Sequence, residues 1–454
     1  MEGIEVKFDE KYGHGLYATR DFEQGEIVLS EKPLIVTHTL SSKRDRAFAC
    51  TFDIDLSVFS TFKTFFDASP EIQTAILNNF YLPPQDQLET AWSTIGSTYV
   101  DRIIKTCIKR VEAWVDIPEE TFRKVFMIFT LNSHSFDSDG SAIFVYGSKM
   151  NHSCEANTFY QSIDGQRGVH TAVKRISKGE QITTDYLGKD SILSRGARHK
   201  ILQRTKLFTC ECSRCTERID VSRGLPCPNC NTQNQRRMNG GYIYWYPILS
   251  TNENKSSTAQ NYWLCDMCNS RFEDNSPRLH GLFVREADLE NQIITLEEKL
   301  SILPFVNHSQ LIDLYNACLA QLGTRHWTYI IVLKILILFD ASNSKLQSKN
   351  AIIQNLDQVL NWYDKYGFDT PRYLSVFVLR VANVLIHAGE YDNGLYFLER
   401  VFEDFEYSNT FVQDYKDALD LMAKCRTALE QTSSLQDNVV TNQIQQNCQP
   451  LKIV

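Results

Sequence analysis

The 454-residue chain has no run of about 18 apolar residues, so no segment is long and apolar enough to cross a bilayer as a helix, and no membrane partner is expected. It has no dense Lys or Arg block, and its formal charge is −8. Such a charge argues against broad gripping of a nucleic acid backbone and mildly favours encounters with basic proteins. The opening MEGIEVKFDE lacks the basic-then-apolar pattern of a secretion signal. An intracellular protein is therefore expected, cytoplasmic with the nucleus as a second compartment.

What the chain does have is cysteine, 13 in all. Reducing compartments keep thiols free, so a close-set group of them points to metal rather than to disulfides. Eight fall into two groups: Cys154 with Cys210, Cys212 and Cys215, then Cys227, Cys230, Cys265 and Cys268. CECSRC supplies three thiolates, and structural zinc takes four tetrahedral ligands. Cys154, in NHSC, is the candidate fourth; the alternative is a small buried hydrophobe. The pairs in CPNC and CDMC read as the two knuckles of a zinc ribbon with a polar inserted loop, STNENKSSTAQ, between them. Two structural zincs are expected, because four thiolates leave no coordination position open for water.

Periodicity divides the rest. Residues 1–48 alternate as β structure, with a turn at Gln24-Gly25; a related pattern recurs with Lys178-Gly179. Residues 49–117 space their apolar positions as helices inserted into this β domain, and 118–208 resume it. Residues 209–280 form the cysteine-rich module. Residues 281–430 are helical in period, and Ala388-Gly389-Glu390-Tyr391 resembles the turn of a tetratricopeptide repeat. The Gln, Asn and Ser-rich tail, 431–454, is expected to be disordered. The expected class is α+β: a β-rich domain with a helical insertion and a zinc module, then an all-α domain. The long helical region carries enough apolar surface to make a homodimer a candidate.

Four pieces in order, KYGHGLYATRDFEQGEIVLSEKP, NHSCEAN, KGEQITTDYLG and LFTCECSRC, resemble the SET-domain protein lysine methyltransferases. Arg198, Leu202, Phe208, Cys210 and Cys212, with the helical carboxyl region, resemble the SMYD branch. The likeness covers about residues 5–45 and 118–216. SMYD proteins carry a MYND zinc finger inside the split domain; here that region holds only Cys50 and Cys107. The arrangement without a finger and with an added zinc module is similar to the apical complex lysine methyltransferases of apicomplexan parasites, which would imply an apical location.

The resemblance implies an S-adenosylmethionine-dependent enzyme acting on a lysine of a histone or non-histone protein. It implies Tyr186 at the point of methyl transfer, and Lys11, Tyr12, His14, Asn132, Asn151, His152 and Phe208 around the donor. It also places NHSC beside the Tyr186 strand, with Cys154 tying down a flap that carries Phe208. A phenol of pKa ~10 is a poor base at neutral pH, so Tyr186 is expected to orient the amine. Two departures touch the expected channel: His134 and Lys206 stand where SMYD relatives usually have aromatics. Lys206 at a channel wall is costly unless it turns to solvent. These departures support a second reading, a catalytically silent zinc-stapled adaptor that binds partner proteins through its helices. A third, nucleic acid binding by the zinc ribbon with Arg236 and Arg237, is opposed by the acidic charge.

Overall fold

The computed structural model describes residues 2–10, 13–38, 42–137, 140–230, 240–246, 261–302, 307–342, 349–366, 371–406 and 412–447. Two compact units divide the chain: residues 1–191 and 195–216 with 407–410, and residues 192–194, 217–406 and 411–454. Among the described residues no helix is long and apolar enough to cross a membrane.

The first unit opens with β1 (Ile4–Asp9), β2 (Gly13–Ala18), β3 (Ile27–Glu31) and β4 (Ile35–Thr37). Six helices follow: α1 (Lys43–Thr51), α2 (Leu56–Phe66), α3 (Pro70–Asn79), α4 (Leu88–Ile95), α5 (Thr98–Arg110) and α6 (Glu119–Asn132). Then come β5 (His134–Phe136), β6 (Gly140–Ile143), β7 (Asn151–His152), β8 (Thr158–Ile163), β9 (Arg167–Ala172) and β10 (Gln181–Thr184), followed by α7 (Arg195–Lys206) and α8 (Ser213–Thr216). One sheet runs β1-β2-β10-β8-β9-β3 with β7 also on β10, and a second runs β4-β6-β5. The two recurring turn patterns are hairpin-like bends at Gly25 and Gly179, with φ of 84° and 88°, a backbone region that glycine enters without steric cost. They dock on each other through paired backbone bonds between Phe22 and Ile176, both 2.9 Å.

The segment whose period read as helical forms helices with clear caps. Asp55 accepts from the N–H groups of Ser57 and Val58 to start α2, and Ser69 with Pro70 starts α3. Its core joins Phe62, Phe65, Ile104 and Trp114 to Phe122, Val125 and Ile128 of α6. The helical layer thus runs past the expected boundary at 117, because α6 presents its apolar face to the insertion.

In the second unit β11 (Leu225–Pro226), β12 (Tyr242–Tyr246), β13 (Tyr262–Cys265) and β14 (Arg271–Glu273) form an antiparallel sheet in chain order. Helices α9 (Pro277–Ile302), α10 (His308–Gln321), α11 (Trp327–Ser342), α12 (Lys349–Tyr366), α13 (Pro371–His387), α14 (Tyr391–Glu406) and α15 (Val412–Asn447) follow. Successive helices pack from α9 to α12 and from α13 to α15, and α13 also touches α15, the neighbour pattern of a helical-hairpin stack. The tail expected to be disordered continues α15 as far as Asn447, with no Gly or Pro to break it. Arg236, Arg237 and most of the inserted polar loop lie outside the described residues.

Candidate functional site

Strand β10 ends two residues before Tyr186, and β7 lies parallel beside it, pairing Asn151 with Thr183 and His152 with Thr184. The NHSC segment therefore runs next to the Tyr186 strand, as expected. Tyr186 donates its phenol hydrogen to the Met150 carbonyl at 2.5 Å. The residue is 37% exposed, yet desolvation of the phenol raises its pKa. Both facts fit a narrow cleft.

His152 ties this cleft to the thiols. Its Nδ1 accepts from the Tyr186 backbone N–H at 3.0 Å, which leaves Nε2 to carry the ring hydrogen. Nε2 then donates to Cys154 Sγ at 3.4 Å. The rings of His152, Tyr186 and Phe208 stand 5.2, 6.0 and 6.4 Å apart. Phe208 reaches them because Leu207, at φ 65°, turns the chain sharply off the end of α7. Both ring nitrogens of His152 are thus engaged within the protein, so its side chain is not directed at a donor as the resemblance implied; its backbone remains on the Asn151 strand.

Four sulfurs gather behind this layer. Cys154, Cys210, Cys212 and Cys215 have Sγ atoms all within 4.8 Å of one another, with Cys154 at 3.5 Å from Cys215 and 4.0 Å from Cys210. A tetrahedron with ~2.3 Å zinc–sulfur arms has edges of about 3.8 Å, so the group fits zinc. Arg198, 1% exposed, donates to Cys215 at 3.5 Å and offsets some of the thiolate charge. The second group, Cys227, Cys230, Cys265 and Cys268, is equally close, with 3.7 Å between Cys227 and Cys268 and between Cys230 and Cys265. Cys50 and Cys107 belong to neither.

On the opposite face of β10 from the Leu16, Met150 and Ile182 core lies a notch at Gly15. A Cβ on Gly15 would sit 2.7 Å from Gln181 Nε2 and 3.2 Å from Asn151 Nδ2. Both amide nitrogens are buried without a hydrogen-bond partner among the described residues. Two unmatched donors beside a missing side chain suit an anionic or carbonyl-bearing ligand, such as the amino-acid moiety of S-adenosylmethionine. Gln181 was not among the residues expected; alternation along β10, with Ile182 inward, was the signal for it. His14 stands on β2 against Phe8, with ring centres 5.3 Å apart. Lys11 and Tyr12 lie outside the described residues.

Asn132 departs from expectation. Its side chain accepts from Tyr81 N–H at 3.0 Å and donates to the carbonyls of Tyr81 and Ile128 at 2.9 and 2.8 Å. It ties α6 to the end of α3, and no amide hydrogen is left over for a donor. Lys206 departs too. Rather than turning to solvent, it donates to the carbonyls of Thr130 and Leu131 at 2.9 and 3.1 Å and lies 5.4 Å from the Tyr186 ring centre. Burial lowers its pKa to about 8. His134 sits in an aromatic nest with Phe144, Tyr160 and His170, and burial, then Lys206, push its pKa down to about 4.

Compared with protein families, residues 13–187 match the SET domain. These residues are a SET domain.

Relatives of this SET domain include a putative SET domain-containing protein, L678, of Acanthamoeba polyphaga mimivirus, 23% identical over 219 residues, 47% of this chain and 77% of that one. Histone-lysine N-methyltransferase ASHR1 of Arabidopsis thaliana is 25% identical over 257 residues, 45% of this chain and 53% of its own length. The protein-lysine N-trimethyltransferase SMYD5 of Danio rerio is 37% identical over 86 residues, 18% of this chain and 20% of that protein. The chain thus spans about half, or less, of the length of these cellular relatives. Among solved structures, the SET domain of LSMT bound to lysine and AdoHcy is similar with a TM-score of 0.34 and 12% identity, over 76% of this chain and 88% of that one, too loose a likeness to bear on function.

A third polar cluster was not legible in the sequence. Glu286, Glu290 and His326 place ligand atoms within 4.8 Å in the second unit. Arg223 grips both oxygens of Glu286 at 2.6 and 2.8 Å, and His326 Nε2 approaches it at 3.1 Å. Burial opposes ionisation, yet the bonds from Arg223 and His326 hold the Glu286 pKa down to about 2. With a guanidinium already in place, this is a buried ion network rather than a metal centre.

Proposed function

We propose that the chain is an S-adenosylmethionine-dependent protein-lysine N-methyltransferase whose acceptor is a lysine of a histone or another protein. The observation that carries this reading is the convergence of Tyr186, His152 and Phe208 on one cleft backed by the Cys154 cluster. The histone-lysine and protein-lysine methyltransferases among the relatives support it.

Bound S-adenosylmethionine supplies the sulfonium methyl. Asn151 and Gln181 offer its amino-acid moiety a pair of otherwise unmatched donors, and Phe208 offers a face for the base. Tyr186 remains a phenol at neutral pH, because desolvation raises its pKa. With its hydrogen committed to Met150, its oxygen accepts an N–H from the acceptor amine and aims the nitrogen lone pair. A poorly solvated cleft disfavours an ammonium, which helps the amine enter neutral. The Cys154 group, with zinc bound, keeps Phe208 and the His152–Tyr186 link in register.

The fixed Lys206 charge favours the second reading, a silent adaptor. Calorimetry with S-adenosylmethionine and radiolabelled transfer into a cell lysate separate the two. Binding with transfer supports the enzyme; binding without transfer supports the adaptor, and no binding removes the donor site. Comparing methyl-lysine in cells with and without the protein would name the acceptor. We place the chain in the cytoplasm with access to the nucleus, and propose self-association through its helices.

A further inference from the structure

Resting on the methyltransferase reading, we infer that Lys206 is a charge filter: its fixed ammonium admits the neutral form of an amine into the Tyr186 cleft and rejects the protonated form. The charge is anchored, not wandering. Two carbonyls at the end of α6 receive it, the Tyr186 ring lies beneath it, and the negative end of the α6 dipole favours a cation there.

No carboxylate among the described residues pairs with Lys206. Asp185, next to Tyr186, commits its two oxygens to the N–H groups of Leu187 and Gly188 at 2.8 and 3.1 Å. His134 faces Lys206 from β5, and burial keeps it neutral near pH 7. His152, on β7, is held between Tyr186 and Cys154. Nothing in this wall therefore cancels the ammonium, and the Thr130 and Leu131 carbonyls that could receive an incoming ammonium are already taken.

A second positive charge close to this ammonium, at a dielectric between that of a protein surface and water, is opposed by about tenfold. An acceptor lysine must then shed its proton before or on entry. The filter makes the enzyme select on protonation as well as on shape.

A pair of donor analogues tests this without knowledge of the acceptor. Sinefungin carries a protonated amine where the donor has its methyl-bearing sulfonium, so it reports the repulsion that any cation, the donor's own included, meets beside Lys206, whereas S-adenosylhomocysteine has a neutral thioether. Calorimetric affinities for both are measured at pH 7 on the full chain, as wild type and as Lys206→Met, Lys206→Gln and Lys206→Arg. Gln keeps a donor for the two carbonyls, and Arg keeps the charge.

The expected result is that Met and Gln tighten sinefungin about tenfold relative to the thioether, while Arg leaves the ratio unchanged. An unchanged ratio in both neutral variants overturns the filter. So does loss of thioether binding in both, which would make Lys206 a structural support. If wild type binds neither analogue, the methyltransferase reading itself fails and the filter goes with it.

Discussion

At the scale of single residues the protein is governed by which polar atoms have partners. Tyr186 has its hydrogen fixed on Met150, so removal of its oxygen should affect chemistry more than binding. Tyr186→Phe is expected to slow transfer by about a hundredfold in a radiolabel assay, with S-adenosylhomocysteine affinity within about twofold of wild type. Parallel losses in both would mean that the phenol only supports the fold. His134 offers a test in pH. Burial lowers its pKa to about 4, so the unfolded chain, with an ordinary histidine, takes up a proton that the folded one refuses. Stability should therefore fall as pH drops from about 6.5 to about 4, by at most about 3 kcal/mol, and its share should level off below that. His170 beside it is shifted in the same direction by burial and adds to the trend. His134→Phe should make the melting temperature less dependent on pH across that window; an unchanged slope would place the acid sensitivity elsewhere. Much of this layer was legible in the chain. The eight thiols were marked by their spacing, and Tyr186, Asn151 and Phe208 were pointed to by the family resemblance. The direction of a side chain was not: Asn132 and His152 lie at the expected positions, but their polar atoms face Tyr81 and Cys154, because partners far apart in sequence decide where an amide or imidazole points.

At the scale of elements, short segments are pinned by long-range bonds. Glu31, at the end of β3, accepts from the N–H groups of Val145, Tyr146 and Gly147 at 2.8 to 3.1 Å. It thereby organises the turn that delivers NHSC to β10. Asn132 does the same for helices, binding both backbone groups of Tyr81 from the end of α6. Asn132→Leu should lower stability by about 2 kcal/mol in a denaturant titration, since it strips both Tyr81 groups of their partner. A change below about 0.5 kcal/mol would show that water replaces the amide without loss. The helical layer was readable from its apolar period; the Asp55 and Ser69 caps that start its helices came from the structure. That α6 belongs to it was not readable, because the choice between two apolar surfaces is made by packing rather than by period.

At the scale of the whole molecule, each unit carries its own four-thiol site. Metal analysis of the purified chain should find two zincs, and Cys154→Ser should leave one; a single zinc in the wild-type chain would refute the pairing of both groups with metal. Chelation should cost the first unit its cleft before its sheets, since the sheets rest on an apolar core of their own, with Leu16, Phe22 and Ile182 fully buried. Fluorescence of a bound adenosine analogue and circular dichroism, followed together, would show the order. In the second unit Arg223→Met would leave the buried Glu286 carboxylate with His326 as its remaining partner and should destabilise that unit by about 3 kcal/mol.

The wide gap between Cys154 and its partners also bears on synthesis. A ribosome delivers every strand of the large sheet by Thr184, yet the sulfurs that complete the corner around Phe208 emerge only with Cys210 to Cys215. A nascent chain halted between those points would hold every strand of that sheet but lack the thiols that complete the corner around Phe208, so the corner can close only after the later segment has emerged.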